Sequence, residues 1–153
     1  MIHYANILHL TSHYLLKKMN YWLVKSEPFK YSWDDFVKEG KSTWDGVRNN
    51  TARLNLIAMK VDDLVLFYHS NEGKEIVGLA KITKEHYPDA TTEDPRWVVV
   101  DLVPVELFPK PVTLARLKAD ERFQDMALVR LSRLSVAPVK REEFDLIVAM
   151  AHE

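Results

Sequence analysis

Residues 20–25 have the sequence NYWLVK, a run of aromatic and aliphatic side chains that predicts a β-strand. Pro28 follows closely and predicts where this strand ends, because proline has no amide hydrogen to donate to a neighbouring strand. Two longer apolar stretches, residues 64–70 and 76–87, flank the charged, glycine-containing sequence SNEGKE and predict a β-hairpin. A sheet built around these strands therefore decides the fold.

The rest of the sequence predicts short helices and further strands between and after these strands. Ser32 and Asp35 form a capping pair for a helix over residues 32–39, and Asn50 is placed to cap a second helix. Pro104 predicts an edge or a bulge in a long later strand. The remaining predicted elements are this strand at 97–108, helical stretches at 114–119 and 122–129, a strand at 133–139 and a last helix at 141–150. Strands separated by short helices, without regular βαβ alternation, predict an α+β fold with a curled, mainly antiparallel sheet.

The composition limits the classes of function that fit the chain. It has 153 residues, with 21 Lys and Arg against 22 Asp and Glu, and a formal net charge of -1. A protein that holds nucleic acid by bulk charge alone would be far more basic. The positive charge is uneven, however, because residues 114–141 contain seven basic and three acidic side chains. This segment is typical of either a solvated helix face or a phosphate-binding surface.

Cysteine is absent from the sequence, which excludes disulfides, thiol nucleophiles and thiolate metal sites. The absence is typical of a reducing compartment, and we predict a cytoplasmic location. The sequence contains no apolar run that approaches the roughly 20 residues of a membrane-spanning helix, so no membrane association is predicted.

Residues 1–18 lack both the early basic cluster and the small-residue cleavage site of a signal peptide. We predict that they form an extension outside the domain, that residues 19–153 form a single domain, and that Met19 is an alternative start. His9 and His13 have the spacing of a metal-binding pair. Since no third ligand lies near them in the sequence, no metal site is predicted.

Known catalytic motifs are missing from the sequence, including GxSxG, the Walker A loop, HExxH and GxGxxG. His69 and Ser70 are adjacent on a predicted strand, so they point to opposite faces and cannot form a nucleophile–base pair. Glu27 and Asp45 can form a carboxylate pair, which is a weak signal because small domains contain such pairs by chance. We therefore predict no enzymatic activity and no cofactor.

Three short segments combine aromatic rings with polar groups at strand ends or in loops: KSEP at residues 25–28, WDGVRN at 44–49 and FYHS at 67–70. Such segments are typical of a site that holds a flat ligand. An ordinary structural role is the alternative for each of them. The rings would then belong to the core, while Arg48 and Asn49 would form a structural ion pair and a helix cap.

These segments resemble those of the EVE-domain family, which belongs to the PUA-like superfamily and is related to YTH readers. The matching sequences, in chain order, are YWLVKSEP, WDGVRN, MKVDDLVLFYHS, IVGLAKI, YPD, PVTL and RLSVAPV, spread over residues 19–151. The resemblance implies a β-barrel-like α+β fold with surrounding short helices and a pocket for a base, often modified, of DNA or RNA. The chain departs from the family at Phe144, where Trp is expected, and at residues 50–51.

The resemblance also implies roles for the pocket residues. Residues 26–28 would form one wall, Trp44 would stack on the base, and Tyr68 would close an aromatic cage from the other side. Trp33 is the alternative to Trp44 as the stacking ring. The full base-binding set implied is Lys25, Ser26, Glu27, Pro28, Trp44, Gly46, Val47, Arg48, Asn49, Tyr68, His69 and Ser70.

Contacts to the rest of the nucleotide are implied in the same way. Asn49 would meet a base edge, and Arg48 or Arg133 would meet a phosphate. The predicted partner is nucleic acid carrying a modified base, which would be extruded from a duplex into the pocket. Two other functions stay open from the sequence, namely an enzyme acting on a modified nucleobase or nucleotide and a small-molecule sensor.

Overall fold

The structure, a computed structural model, describes residues 18–153. The predicted extension, apart from Lys18, lies outside the described residues, and so do His9 and His13. The strands are β1 (Tyr21–Ser26), β2 (Ser42–Thr43), β3 (Leu64–His69), β4 (Glu75–Pro88), β5 (Val98–Thr113) and β6 (Val136–Val139). The helices are α1 (Trp33–Glu39), α2 (Asn50–Ala58), α3 (Leu114–Lys118), α4 (Ala127–Arg130) and α5 (Arg141–Ala151), with a 3₁₀ turn at Glu121–Phe123.

All six described strands form one sheet in the order β2-β5-β4-β3-β1-β6. Only the pairing of β1 with β3 is parallel, and the other four described pairings are antiparallel. The pairing of β4 with β5 contains several register shifts, one of them at Ala80, whose partner is Pro104. Bulges of this kind bend a sheet. The prediction of an α+β fold with a curled, mainly antiparallel sheet is therefore confirmed, and so is the irregularity at Pro104.

Helix α1 begins and ends as its sequence predicts. Ser32 Oγ accepts a hydrogen bond from the Asp35 amide at 3.1 Å, and the Asp35 carboxylate accepts one from the Ser32 amide at 2.9 Å. Gly40 ends the helix in a left-handed conformation with φ of 75°, which costs glycine little because it has no Cβ. This reciprocal capping fixes the chain between β1 and β2.

Besides one-residue shifts at several element ends, four features differ from the prediction. Helix α2 is capped by Asn49, whose Oδ1 accepts a hydrogen bond from the Ala52 amide at 2.9 Å, and not by Asn50. Strand β5 continues five residues past 108 and pairs with β4 as far as Thr113. The helix predicted at 122–129 is split into the 3₁₀ turn and α4. Strand β6 begins at Val136, not at residue 133.

Side chains alternate between two hydrophobic clusters, one on each face of the sheet. Trp22 and Val24 of β1 belong to the first cluster, with Trp33, Phe36 and Trp44. Tyr21 and Leu23 belong to the second, as does Tyr68 of β3, together with residues of α5. Two residues from neighbouring positions of β3, Phe67 and Tyr68, therefore lie on opposite sides of the sheet.

Two bulky rings have a structural role in these clusters. The ring of Trp33 lies directly over Gly78, where an added Cβ would come within 2.5 Å of the indole. Phe144 is 1% exposed and stacks on Tyr21 with ring centroids 4.3 Å apart. The departure from the family at position 144 is thus a change within the core.

Candidate functional site

A cavity of about 860 Å³ opens between the end of β1 and the segment that runs through β2 to the start of α2. Eight of the twelve residues of the implied base-binding set line it, namely Lys25, Ser26, Glu27, Trp44, Gly46, Val47, Arg48 and Asn49. The other lining residues are Lys30, Tyr31, Glu39, Lys41, Ser42, Thr43, Asp45 and Ser135. The structure thus brings the KSEP and WDGVRN segments together, although they are far apart in the sequence.

The wall from β1 is a hydrogen-bonded turn. The carbonyl of Glu27 accepts hydrogen bonds from the amides of Lys30 at 2.9 Å and Tyr31 at 2.8 Å. Ser26 Oγ donates to the carbonyl of Tyr31 at 2.5 Å. Pro28 is not a lining residue, but its fixed φ suits the first corner of this turn.

Trp44 contributes the larger ring of the cavity wall. Its amide donates to the carbonyl of Val100 at 2.9 Å, which ties the residue to β5. The indole is 8% exposed and lies edge-on to Phe67 at 5.7 Å and to Tyr31 at 6.1 Å. Of the two tryptophans considered for this position, Trp44 lines the cavity, whereas Trp33 packs over Gly78 in the core.

Tyr31 is a cavity residue that the sequence analysis did not identify. Its hydroxyl donates to the Glu39 carboxylate. Burial and this hydrogen bond raise the pKa of the Tyr31 phenol to about 12, so it stays a neutral donor at physiological pH. The feature of the sequence that pointed to Tyr31 is its position directly before the Ser32 cap and close to KSEP.

Asp89 fixes the loop that carries the WDGVRN segment. Its Oδ2 accepts hydrogen bonds from the Gly46 amide at 3.0 Å and from Arg48 Nη1 at 2.9 Å. Its Oδ1 accepts two more, from the Thr91 amide at 2.8 Å and the Thr91 hydroxyl at 2.6 Å. Burial alone would raise the pKa of Asp89, but these hydrogen bonds outweigh it and hold the pKa well below its ordinary value. Asp89 belongs to the quoted YPD motif, which was the signal for its role.

Arg48 and Asn49 both have structural partners, as the structural alternative predicted. The Arg48 guanidinium pairs with the buried Asp89 and also donates to Thr91 Oγ1 at 3.0 Å. Asn49 uses Oδ1 for the α2 cap, whereas its Nδ2 has no hydrogen-bond acceptor within residues 18–153. Asn49 therefore caps the helix and still presents a free donor at the cavity wall.

The FYHS segment does not reach the cavity. Tyr68 is 3% exposed and belongs to the second hydrophobic cluster, across the sheet from Trp44, so the cage that Tyr68 was expected to close is not formed. Strand alternation is the reason, since Phe67 faces Trp44 and its neighbour must face away. His69 Nε2 accepts a hydrogen bond from the Trp33 amide at 3.1 Å, and burial lowers the pKa of its imidazole. The amide of Ser70 donates to the Ser26 carbonyl at 2.9 Å. His69 and Ser70 therefore hold the two ends of the turn between β1 and α1, without lining the cavity.

A second, smaller cleft of about 380 Å³ adjoins the cavity, since Asn49 lines both. It also contains two exposed arginines, Arg130 and Arg133, together with Thr51, Leu131, Ser132 and Leu134. Neither arginine forms an ion pair with any residue in the described part of the chain. The expected phosphate contact, Arg133, is thus near the cavity but outside it.

The cavity walls carry both signs of charge. Glu27, Glu39 and Asp45 lie among Lys25, Lys30, Lys41 and Arg48. Lys25 Nζ donates to the carbonyl of Ser132 at 2.9 Å, and burial lowers the pKa of its ammonium group. In residues 18–153, no cluster of three or more His, Asp or Glu side chains is arranged to hold a metal ion.

Comparison with known proteins identifies the family of the chain. A family profile described as EVE domain matches residues 20–150. The chain belongs to the EVE domain family. Thymocyte nuclear protein 1 of Mus musculus is 39% identical to it over 165 residues, covering 86% of this chain and 73% of the mouse protein.

Solved structures share this EVE domain's fold. A protein of Rhodopseudomonas palustris has a TM-score of 0.83 at 50% identity, covering 87% of this chain and 93% of its own. Human thymocyte nuclear protein 1 in complex with DNA containing 5-methylcytosine has a TM-score of 0.83 at 34% identity, covering 88% and 98%. A YTH domain of Zygosaccharomyces rouxii, at 15% identity and a TM-score of 0.58, shares the fold and covers 88% of both chains. The predicted family and the PUA-like fold are thus confirmed.

None of the helices within residues 18–153 has both the length and the apolar character needed to cross a membrane.

Proposed function

We propose that this EVE domain binds nucleic acid by holding a modified base, methylated cytosine in DNA foremost, in the cavity between β1 and the WDGVRN loop. The observation that carries the proposal is the combination of two rings, Trp44 and Tyr31, with polar groups that have no partner in the described structure. A cavity of about 860 Å³ is in the range of roughly 300–1,000 Å³ that is typical of small-ligand sites, so it has room for one nucleobase.

The polar lining suits the pairing edge of cytosine. Cytosine presents an amino donor at N4 and acceptors at N3 and O2. Asn49 Nδ2 supplies a free donor, and the exposed carboxylate of Asp45 supplies an acceptor. A methyl group at C5 adds apolar contact next to the rings, and one methyl-sized contact discriminates by about 1–3 kcal/mol. These groups can therefore distinguish a base and its modification without chemistry.

The comparison with human thymocyte nuclear protein 1 supports the same ligand class, because that protein was solved with DNA containing 5-methylcytosine and is 34% identical to this chain. The smaller cleft supports a contact beyond the base. Arg130 and Arg133 line the smaller cleft, which shares Asn49 with the cavity, and neither forms an ion pair within the described residues. A phosphate flanking the held base is the proposed ligand of this cleft.

Substitution of Asn49 tests the proposal, because Ser and Asp both cap helices as well as Asn does. Asn49→Asp and Asn49→Ser keep the α2 cap and remove the amide donor, and only Asp adds charge. We expect both variants to keep the thermal midpoint and to lose affinity for a methylcytosine duplex by about 1–3 kcal/mol, roughly 5- to 150-fold. Fluorescence anisotropy with methylated and unmodified duplexes measures this loss.

Three results would count against the proposed binding of a modified base. Equal affinity of Asn49→Ser and the wild type would exclude the amide as a base contact. Equal binding of methylated and unmodified DNA would exclude recognition of the modification. Turnover of a modified nucleoside that depends on Glu27 would favour an enzyme. Trp44→Ala is less decisive, because the indole is 8% exposed and its loss also disturbs the core.

A further inference from the structure

Phe29 is the most exposed large hydrophobic side chain in residues 18–153, with 92% of its surface accessible. The next is Leu107 at 60%. Single exposed apolar residues are common on protein surfaces and need no explanation by themselves. The position of Phe29 is what gives it significance, because it lies at the tip of the turn whose flanking residues, Glu27 and Lys30, line the cavity.

The turn holds Phe29 in place although its ring contacts almost nothing. The Glu27 carbonyl accepts hydrogen bonds from the Lys30 and Tyr31 amides, on the far side of Phe29, and Pro28 restricts the backbone before it. Ser26 Oγ adds a bond to the Tyr31 carbonyl at 2.5 Å. A ring presented on an ordered backbone loses little conformational entropy when it binds.

Two exposed lysines line the cavity beside this turn, each close to a carboxylate. Lys30, next to Phe29 in the chain, is 76% exposed and lies 3.4 Å from Glu27, and Lys41 is 62% exposed and lies 3.7 Å from Asp101. An exposed aromatic ring stacks on bases, whereas lysines that are already paired add only a weak attraction to the backbone, so the ring is the main contact expected here. Apolar side chains such as Phe also enter base steps and partly unstack them.

We propose that Phe29 is a wedge that inserts into the base stack of a DNA duplex beside the methylated base held in the cavity. This inference rests on the proposed function. Moving a base into the cavity leaves a gap in the stack, and extruding it from a duplex is unfavourable. Phe29 lies on the turn between two residues that line the cavity, so its ring can fill that gap by stacking on the neighbouring base. It then stabilises the duplex complex without touching the held base.

Phe29→Ala tests the wedge, with Leu107→Ala as the matched control and Phe29→Trp as the conservative variant. The probes are a duplex with one 5-methylcytosine and the free nucleoside 5-methyl-2′-deoxycytidine. Phe29→Ala is expected to weaken duplex binding about 5- to 150-fold, the value of stacking one ring on a base. It should leave nucleoside affinity unchanged, while Phe29→Trp and Leu107→Ala should match the wild type on both probes.

A spectroscopic readout separates a wedge from a merely structural role. With 2-aminopurine as the base beside methylcytosine, stacking by Phe29 keeps its fluorescence quenched, and Phe29→Ala should raise the emission of the complex. Unchanged duplex affinity in Phe29→Ala would overturn the wedge while leaving the proposed function standing. A matching loss on the free nucleoside would also overturn it, since Phe29 would then act on the cavity. Failure of the wild type to bind either probe would overturn the proposed function and the wedge together.

Discussion

Asp89→Asn is the sharpest test of how the cavity loop is held in place. The Asp89 side chain is fully buried, and its two oxygens accept four hydrogen bonds, from Gly46, Arg48 and Thr91. Asparagine has nearly the same shape but presents an NH₂ group where one carboxylate oxygen stood. In one orientation the NH₂ group faces two donors, the Gly46 amide and the Arg48 guanidinium; in the other it faces the Thr91 amide, although the Thr91 hydroxyl can rotate and accept from it. In both orientations the ion pair with Arg48 is lost.

The expected loss of stability follows from these contacts. A buried donor left without an acceptor costs about 1–3 kcal/mol, and a hydrogen bond to a charged group contributes about 1.5–3 kcal/mol. The Arg48 side chain is 39% exposed, so water partly replaces its partner and the ion pair itself adds less. We therefore expect Asp89→Asn to lower the free energy of unfolding by about 2–4 kcal/mol, a fall of roughly 5–15 °C in the thermal midpoint.

The pH dependence gives the prediction a second signature. The pKa of Asp89 is lowered in the folded state, so its contribution to stability is fully present above the unfolded value of about 3.9. It is lost as the pH falls below that value towards the lower folded pKa. The stability difference between wild type and Asp89→Asn should therefore be constant at neutral pH and should narrow below about pH 4.

Urea denaturation at several pH values measures both effects, and Asp94→Asn is the matched control. Asp94 lies in the same connection, and its ion pair with Arg96, at 3.3 Å, involves two partly exposed side chains. Such a pair contributes less than about 1 kcal/mol. If Asp89→Asn lost no more stability than Asp94→Asn, the carboxylate would not anchor the loop. A constant difference down to pH 2 would refute the pKa argument.

Three further predictions address the fold, the smaller cleft and the extension. Gly78→Ala would place a Cβ within 2.5 Å of Trp33, and we expect it to lower the free energy of unfolding by about 1–3 kcal/mol in urea denaturation. Arg130→Ala and Arg133→Ala should each reduce the slope of log affinity against log salt by about 0.9 for a methylated duplex and leave free-nucleoside affinity unchanged. Removal of residues 1–18 should change neither the thermal midpoint nor duplex affinity, because the EVE domain match begins at residue 20; a large loss of either would place those residues within the domain.

Much of the fold could be predicted from local sequence, because capping and turn signals act over a few residues. Ser32, Asp35 and Gly40 determine α1 by themselves. Two of the boundaries that were wrong show what local signals leave open. Asn49 and Asn50 are adjacent residues of the same type, so the sequence does not choose between them as caps, and the structure uses Asn49. The strand predicted at 97–108 extends further, because β4 pairs with it as far as Thr113.

The sequence predicted the cavity residues that lie within one short segment. It missed those whose position depends on how the strands of the sheet pair. Residues 25–27 of KSEP and all six residues of WDGVRN line one cavity, while Pro28 does not. The expected place of Tyr68 depended on which face of β3 it occupies, and the pairing of β3 with β1 puts it opposite Trp44. Tyr31 lies close to KSEP in the sequence, but its ring reaches the cavity only when the turn after β1 is folded. Asp89 lies in a quoted motif, but its contact with Gly46 spans 43 positions.

Most cations of the cavity wall are paired with carboxylates, in keeping with the net charge of -1. Lys30 lies 3.4 Å from Glu27, Lys41 lies 3.7 Å from Asp101, and Arg48 lies 2.9 Å from Asp89, so each is partly neutralised before any ligand arrives. Cations already paired release few counterions from a nucleic acid, so they contribute little non-specific affinity. Within the cavity, affinity must then come from rings and hydrogen-bonding edges, which distinguish bases, while the phosphate contact is left to Arg130 and Arg133 in the smaller cleft. Near-neutrality therefore favours selectivity for one base over tight binding to any sequence.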